Sequence, residues 1–172
     1  PPALVVGGGV TAPLTPLVRS RVARELLGIS RGTVITRWRD DTALAALVVA
    51  ACNLAKVQID SPPYAILAEV ERSLGKALGR RTRNAIEPVC RALAQSGVDT
   101  KTWVSRAIAS QHRMSAIASG DVSVVLADAF GLTPTDLVRV AREDLRCAEL
   151  FRFALTPDYF DIRRLLGLET SS

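Results

Sequence analysis

Apolar residues recur along most of this chain with the spacing of an α-helix. In six segments they stand at i, i+3, i+4 and i+7, which places them on one face of each segment. The first residues of these six apolar faces are Ala43, Ile66, Ile86, Trp103, Val122 and Leu137. The one strand-like run, residues 123–126, is short and lies within a helical segment. The pattern therefore predicts an all-α fold, a bundle of about six to eight amphipathic helices.

Residues that begin and end helices stand between these segments. Ser61, Thr133 and Thr156 each precede a proline, and Asp121 precedes an apolar segment. An oxygen in such a side chain can accept a hydrogen bond from a free amide of the first helical turn. Gly131 follows an apolar segment, where a left-handed C-cap favours glycine. We therefore expect helices to begin next to the first four residues and one helix to end at Gly131.

Residues 52–61 resemble residues 90–100 with a one-residue slip. Each segment reads as the end of a helix, a short turn with an apolar residue before an aspartate, and the start of a new helix. Two related helical hairpins would produce this similarity, and so would chance.

The length of 172 residues suits one compact core. Residues 1–16 contain three consecutive glycines and four prolines, with few groups that could anchor them. We predict a flexible leader over residues 1–16 and a single all-helical domain over residues 17–169. The longest apolar run, residues 43–52, is about half the roughly 18 to 20 residues needed to cross a bilayer, which excludes a membrane span.

A candidate helix-turn-helix lies at the start of the domain, within residues 17–41. A short helix precedes Gly28, which permits a left-handed turn. Ile29 would then fill the angle between two helices, and Ser30 would cap a second helix over residues 31–39. The N-terminal side chains of such a second helix face the major groove of DNA.

The candidate DNA-binding residues are Arg31, Thr33, Arg37 and Arg39. Arginine can read guanine through two hydrogen bonds, and threonine can contact phosphate or a thymine methyl group. Between residues 19 and 39 there are six arginines and one acid, a local charge suited to phosphate contact. If the chain binds DNA, we expect Arg31→Ala to weaken binding by about 1 to 3 kcal/mol.

Residues 22–48 resemble the DNA-binding segment of the tetracycline-repressor-like (TetR-like) family of bacterial regulators. The residues that match in order and spacing are Gly28, Ile29, Ser30, Arg31, Gly32, Thr33, Val34 and Trp38, followed by Ala43, Leu44, Leu47 and Val48. The resemblance implies a dimeric repressor that binds operator DNA through its second motif helix and releases it when a small apolar ligand enters a helical C-terminal domain. The family also places a full helix ahead of the motif, where this chain is rich in glycine and proline.

Trp38 is predicted to be largely buried against the helix of residues 43–54. An aromatic residue at this offset from Val34 lies on the same helical face and points to the core.

The formal net charge of +5 fits a nucleic-acid partner, but it also fits a composition that is simply rich in arginine. A second basic run contains Arg72, Lys76, Arg80, Arg81 and Arg83, with no acid between residues 72 and 83. Such a run can contact phosphate, anionic lipid or an acidic partner, or it can form a solvated helix end.

The chain offers little for catalysis. His112 is the only histidine, so no site with several histidine ligands can form. Cys52, Cys90 and Cys147 lie far apart and inside apolar helical patterns, which is typical of buried, reduced thiols in an intracellular protein. The glycines of residues 7–9 match neither a phosphate-binding loop nor a dinucleotide-binding motif. We therefore predict a non-enzymatic, cytoplasmic protein with no metal and no cofactor.

Two functions fit these features. The first is a DNA-binding regulator that uses the helix-turn-helix-like segment and has operator DNA as its partner. The alternative is an all-helical protein–protein adaptor or scaffold with no nucleic-acid role, in which an exposed apolar groove between hairpins binds another protein. A protein partner or a homodimer is compatible with these features. A protruding helix over residues 31–39 would favour the first function, and burial of that helix would exclude it.

Overall fold

The computed structural model describes residues 3–37, 40–97, 99–133 and 135–168. Within these ranges the chain forms nine α-helices and one short 3₁₀ helix, with no β-strand, which confirms the all-α prediction. None of the helices there is long and apolar enough to cross a membrane. The elements are α1 (Pro16–Arg31), the 3₁₀ helix (Val34–Arg37), α2 (Asp41–Leu54), α3 (Leu67–Ala77), α4 (Arg80–Ser96), α5 (Thr100–Ser119), α6 (Val122–Phe130), α7 (Leu137–Glu143), α8 (Leu145–Ala154) and α9 (Pro157–Leu165).

Helix α1 runs without a break through the segment predicted as helix-turn-helix. Gly28 is helical, and the left-handed turn lies at Gly32, with φ 68°. The amide of Gly32 donates to the carbonyl of Ile29, and the amide of Thr33 donates to the carbonyl of Gly28 at 2.8 Å. These two bonds form a Schellman motif, which closes the helix. The predicted turn at Gly28 and the predicted second helix from Arg31 are therefore wrong, because Arg31 is the last residue of α1.

Gly28 serves close packing instead of a turn. A Cβ at this position would lie 3.3 Å from Cγ2 of Val34, tighter than an ordinary van der Waals contact. Glycine lets the segment after α1 fold back onto the helix.

The last apolar face predicted from the sequence is divided between two helices. Leu137 and Leu145 belong to one helical pattern, but α7 ends at Glu143 and α8 begins at Leu145. Asp144 is extended, with φ −105° and ψ 113°, and its carboxylate accepts a hydrogen bond from the amide of Arg146. The capping aspartate interrupts the helical period at this point.

Three of the helix-boundary predictions are confirmed and two are wrong. Asp121 and Thr156 cap α6 and α9 through their side chains, and Gly131 ends α6 with φ 65°. Ser61 and Thr133 cap no helix, since α3 begins six residues after Ser61 and α7 four residues after Thr133. A residue before proline favours an extended backbone, which suits a connection as well as a helix start.

The two segments that resemble each other in sequence differ at their helix starts. The carboxylate of Asp99 accepts hydrogen bonds from the amides of Lys101 and Thr102 and so caps α5. Asp60, at the corresponding position, is followed by a non-helical stretch until Leu67. The similarity therefore does not extend to the starts of the following helices.

The described residues divide into two compact units. The first unit is drawn from residues 1–34 and 108–172 and contains α1, the C-terminal half of α5, and α6 to α9. Its buried core residues are Ala116, Ile117, Val125, Leu126, Cys147, Leu150 and Tyr159. The hydroxyl of Tyr159 donates to the carbonyl of Ala116 at 3.3 Å, which satisfies a polar group inside this core.

The second unit covers residues 35–107, where α2 packs against both α3 and α4. A Cβ at Gly75 would lie 3.6 Å from Cδ2 of Leu54, so α2 and α3 approach closely. Asn53 Nδ2 also donates to Glu71 Oε1 at 2.6 Å across this pair of helices. On the α4 side, the buried cluster consists of Cys52, Ala55, Val57 and Cys90. The leader over residues 1–16 and the single domain over residues 17–169 stay predictions.

Candidate functional site

The candidate DNA-binding residues Arg31, Thr33 and Arg37 do not share a helix. Arg31 is exposed at the C-terminal end of α1, whereas Thr33 is buried after it. Arg37 is the last residue of the 3₁₀ helix. Arg39 and Trp38 lie outside the described residues, so the predicted burial of Trp38 stays a prediction.

Thr33 is held inside the first unit by α5. Gln111 Nε2 donates to the carbonyl oxygen of Thr33 at 3.1 Å and to its Oγ1 at 3.1 Å. A buried residue fixed in this way is not accessible to a DNA groove without local unfolding.

Three arginines of the basic cluster hold α1 against other helices of the first unit. Arg19 Nη2 donates to the carbonyl of Ser119 at 3.3 Å. Arg21 Nε donates to Asp128 Oδ1 at 2.9 Å, and Arg24 Nη2 lies 3.0 Å from Asp128 Oδ2. Burial raises the pKa of Asp128, but the hydrogen bond from Arg21 and the charges of Arg24 and Arg21 hold it below its ordinary value. Half of the arginines counted between residues 19 and 39 therefore stabilise the fold.

The second basic run contains one structural arginine and four exposed cations. The guanidinium of Arg83 donates to the carbonyl of Gly75 at 2.6 Å and to that of Leu78 at 2.9 Å, which satisfies acceptors at the end of α3. The exposed cations are Arg72, Lys76, Arg80 and Arg81. Helix α4 has no acid in its first turn, so its start presents net positive charge.

An apolar groove with a volume of about 380 Å³ lies in the second unit. Its lining residues are Val48, Ala51 and Cys52 of α2, Ala85, Ile86, Val89, Cys90 and Leu93 of α4, and Trp103 of α5. Val89 is 69% exposed and Trp103 is 41% exposed, although both side chains are large and apolar. Removing apolar surface from water gains roughly 25 cal/mol per Å². The groove is therefore a surface on which apolar contact is favourable.

One end of this groove is basic. On α4, Arg81, Ala85 and Val89 follow one another at i, i+4 and i+8 and so share a face. The exposed Arg81 lies one helical turn before Ala85, which lines the groove. A ligand for this site would combine an apolar surface with negative charge at one end.

A second groove of about 530 Å³ is formed by α2, α3 and Ile35. Its lining includes the polar side chains of Glu69 and Ser73, and no residue of α4 or α5. We take the groove between α2, α4 and α5 as the candidate site because its lining is apolar throughout.

The thiols of the groove are suited to packing and not to nucleophilic chemistry. Burial, together with the neighbouring Cys90 thiol, raises the pKa of Cys52 to about 12. The Cys52 thiol is therefore protonated near neutral pH, and a protonated thiol is a poor nucleophile and a poor metal ligand.

No cluster of metal-binding side chains forms in the part of the chain that the structure describes. There, no three His, Cys, Asp or Glu side chains are placed to hold one metal ion. The single histidine, His112, stands within α5, and its ring meets that of Phe130 edge to face, with 5.4 Å between centroids.

Comparison with known proteins gives no relative. No family model matches the chain, and neither a curated protein nor a solved structure matches it. The resemblance of residues 22–48 to the tetracycline-repressor-like family therefore stays a prediction.

Sequence reasoning found the apolar face of α4 but not the groove. The helical period places Ile86, Val89, Cys90 and Leu93 on one face, and such a face is normally expected to be covered. The exposure of Val89 depends on which helices pack nearby, and the period of one helix carries no information about that.

Proposed function

We propose that this chain is a non-catalytic, all-helical binding protein that receives the apolar face of a partner protein's helix. The observation that carries the proposal is the apolar groove of the second unit, where Val89 and Trp103 are exposed to solvent. Exposed apolar surfaces of this kind mark interaction sites more often than ordinary surface. An amphipathic helix in a hydrophobic groove is a recurrent mode of recognition.

The length of the groove fits a short helix. Ala85 and Leu93 stand eight positions apart on α4, which corresponds to about 12 Å along the helix axis at 1.5 Å per residue. Apolar side chains at i, i+3, i+4 and i+7 of a partner helix cover about 10 Å, so one such face matches the groove.

The charge at the groove favours an acidic partner. Arg80 and Arg81 are exposed in the first turn of α4, next to the apolar lining. Opposite charges across an interface increase the association rate and fix the orientation of the bound segment. We therefore expect a partner helix with acidic residues near one end of its apolar face.

A random peptide library displayed on phage tests this proposal, because selection from such a library does not require an identified partner. Selected peptides should share apolar residues at helical spacing together with acidic residues. The affinity of one synthetic selected peptide is then measured by fluorescence anisotropy for the natural chain and for Val89→Asp. A charge at the centre of the groove should weaken binding at least about tenfold.

Val138→Asp is a matched control, because Val138 is 66% exposed but belongs to the first unit. It should bind the peptide as the natural chain does. Equal losses in the two variants, or a library that yields no helical peptide, would contradict the proposal. A small apolar dye that binds the groove while no peptide does would indicate a small-molecule site instead.

DNA binding is the second candidate function. It is supported by the exposed cations Arg31, Arg72, Lys76, Arg80 and Arg81, which make no ion pair in the described part of the chain. A labelled DNA duplex should be titrated at low and at moderate salt, because phosphate contacts are strongest at low salt. Affinity that is absent even at low salt would remove this candidate, and affinity that Arg31→Ala leaves unchanged would remove Arg31 from the site.

A further inference from the structure

Helix α9 carries an apolar stripe that is left exposed to solvent among the residues that the structure describes. Ile162, Leu165 and Leu166 follow the i, i+3, i+4 rule and share one face. Leu165 is 85% exposed and Leu166 is 56% exposed. These values are high for leucines of an ordered helix, and three neighbouring apolar side chains form a continuous patch.

Helix α9 is attached to the first unit through two side chains that lie beside the stripe, Tyr159 and Arg163. The hydroxyl of Tyr159 donates to the carbonyl of Ala116, and the guanidinium of Arg163 donates to the carbonyls of Ile117 and Leu168. Helix α9 is therefore presented on a fixed support, so that docking of its apolar stripe costs little conformational entropy.

The stripe of α9 has the features expected of a ligand for the groove. Asp158 is exposed and lies one turn before Ile162 on the same face of α9, so a carboxylate precedes the apolar stripe. Asp161 lies one turn before Leu165, but its Oδ1 is paired with Arg164 Nη1 at 2.8 Å. In the groove, Arg81 precedes Ala85 in the same way. Aligning the N-terminal ends of α9 and α4 would bring the Asp158 carboxylate to the Arg81 guanidinium and the leucines to Val89.

We propose that the groove of one copy of this chain binds the α9 stripe of a second copy. This inference rests on the proposed function, because it uses the same groove, and it names an occupant. Two observations carry it: one chain exposes two apolar surfaces, and a cation lies beside one of them while a carboxylate lies beside the other. The two surfaces are different, so the association is head-to-tail, and each added copy leaves one groove and one stripe available.

Two charge substitutions, one in each surface, test this association. Val89→Asp disrupts the groove and leaves α9 intact, whereas Leu165→Asp disrupts the stripe and leaves the groove intact. Analytical ultracentrifugation should show that the natural chain forms species larger than the 18.4 kDa monomer as its concentration increases. Each variant alone should stay monomeric.

An equimolar mixture of the two variants gives the decisive result. The intact α9 of Val89→Asp can bind the intact groove of Leu165→Asp, and neither partner can extend the complex. The mixture should therefore form a heterodimer of about 37 kDa, twice the mass of one 18.4 kDa chain, and nothing larger. Val138→Asp should associate as the natural chain does, since Val138 lies on α7 and outside both surfaces.

A monomeric mixture, or a natural chain that is monomeric at the highest concentration, would overturn the inference. If selected peptides nevertheless bind the natural chain and not Val89→Asp, the proposed function stands and only the second copy is excluded as occupant. If Val89→Asp changes neither peptide binding nor association, the groove is not the binding site, and both proposals are excluded. Far-ultraviolet circular dichroism checks the fold, and Val89→Ser with Leu165→Ser replaces any aspartate variant that unfolds.

Discussion

Replacing Asp128 with asparagine should destabilise the chain strongly, because Asp128 joins α1 to α6. Its carboxylate contacts Arg21 at 2.9 Å and Arg24 at 3.0 Å. Asparagine keeps the shape of the side chain and removes its charge. The variant therefore isolates the electrostatic part of the contact between the two helices.

The expected magnitude follows from the burial of the two arginines. The side chains of Asp128 and Arg24 are 7% and 8% exposed, whereas that of Arg21 is 58% exposed. Breaking a buried ion pair costs about 3 to 5 kcal/mol, and an exposed pair contributes about 0 to 1 kcal/mol. The contact with Arg24 decides the outcome, so Asp128→Asn should lower the free energy of unfolding by about 3 to 5 kcal/mol at neutral pH.

Urea unfolding followed by circular dichroism measures this difference. Glu87→Gln is the control, because Glu87 forms an exposed pair with Arg91 at 2.7 Å and its loss should cost no more than about 0.5 kcal/mol. A change of less than about 1 kcal/mol for Asp128→Asn would refute the assignment of this ion pair as a main tie between α1 and α6.

The same variant has a pH signature. Because the pKa of Asp128 is lowered in the folded protein, the unfolded chain binds its proton more readily. The carboxylate therefore contributes its full stability above the ordinary aspartate pKa of 3.8, and this contribution is lost as the pH falls through the lower folded-state pKa. The stability difference between the natural chain and Asp128→Asn should be constant near neutral pH and shrink in acid.

Three further substitutions or reactions test the fold and the groove. Gly32→Ala should destabilise the chain by about 1 kcal/mol in urea unfolding, because Gly32 has φ 68° at the end of α1. An unchanged midpoint would contradict the left-handed turn at Gly32. Thr156→Ala should cost about 1 kcal/mol in the same assay, since Thr156 caps α9, and an unchanged midpoint would contradict the cap. Cys52 should resist iodoacetamide at pH 8 in the folded protein and react in denaturant, whereas fast labelling of Cys52 in the folded protein would contradict its raised pKa.

The helical period predicted much of this fold because it is a local property. The faces that begin at Ala43, Ile86 and Val122 each correspond to one helix, since burial of an apolar stripe and the repeat of the α-helix impose the same spacing. Caps such as Thr156 were also predictable, because a side-chain oxygen and an amide three residues later are close in sequence.

The error at Gly28 has a different origin. Both Gly28 and Gly32 permit a left-handed turn, and the sequence alone does not say which of them ends the helix. The choice depends on the close contact between Gly28 and Val34 and on the two amides that close α1. Once the turn is assigned to Gly32, the arrangement that placed Arg31 and Thr33 on a second helix no longer holds.

The groove was not predictable for a related reason. Val89 and the buried Cys90 belong to the same apolar face, and no sequence rule distinguishes the covered residue from the exposed one. Likewise, the arginines of α1 looked like a surface suited to phosphate until Asp128, more than a hundred residues away, was found to bind two of them.

Quenching of Trp103 fluorescence tests the central claim most directly. Trp38→Phe leaves Trp103 as the sole tryptophan, since the chain has two. Trp103 lines the groove and is 41% exposed, so acrylamide should quench it readily in the free protein. Saturation with a selected helical peptide that lacks tryptophan should shift its emission to shorter wavelength and lower the quenching constant, because a helix in the groove covers the indole. A peptide that binds while the emission and quenching of Trp103 stay unchanged would show that the groove is not the binding site.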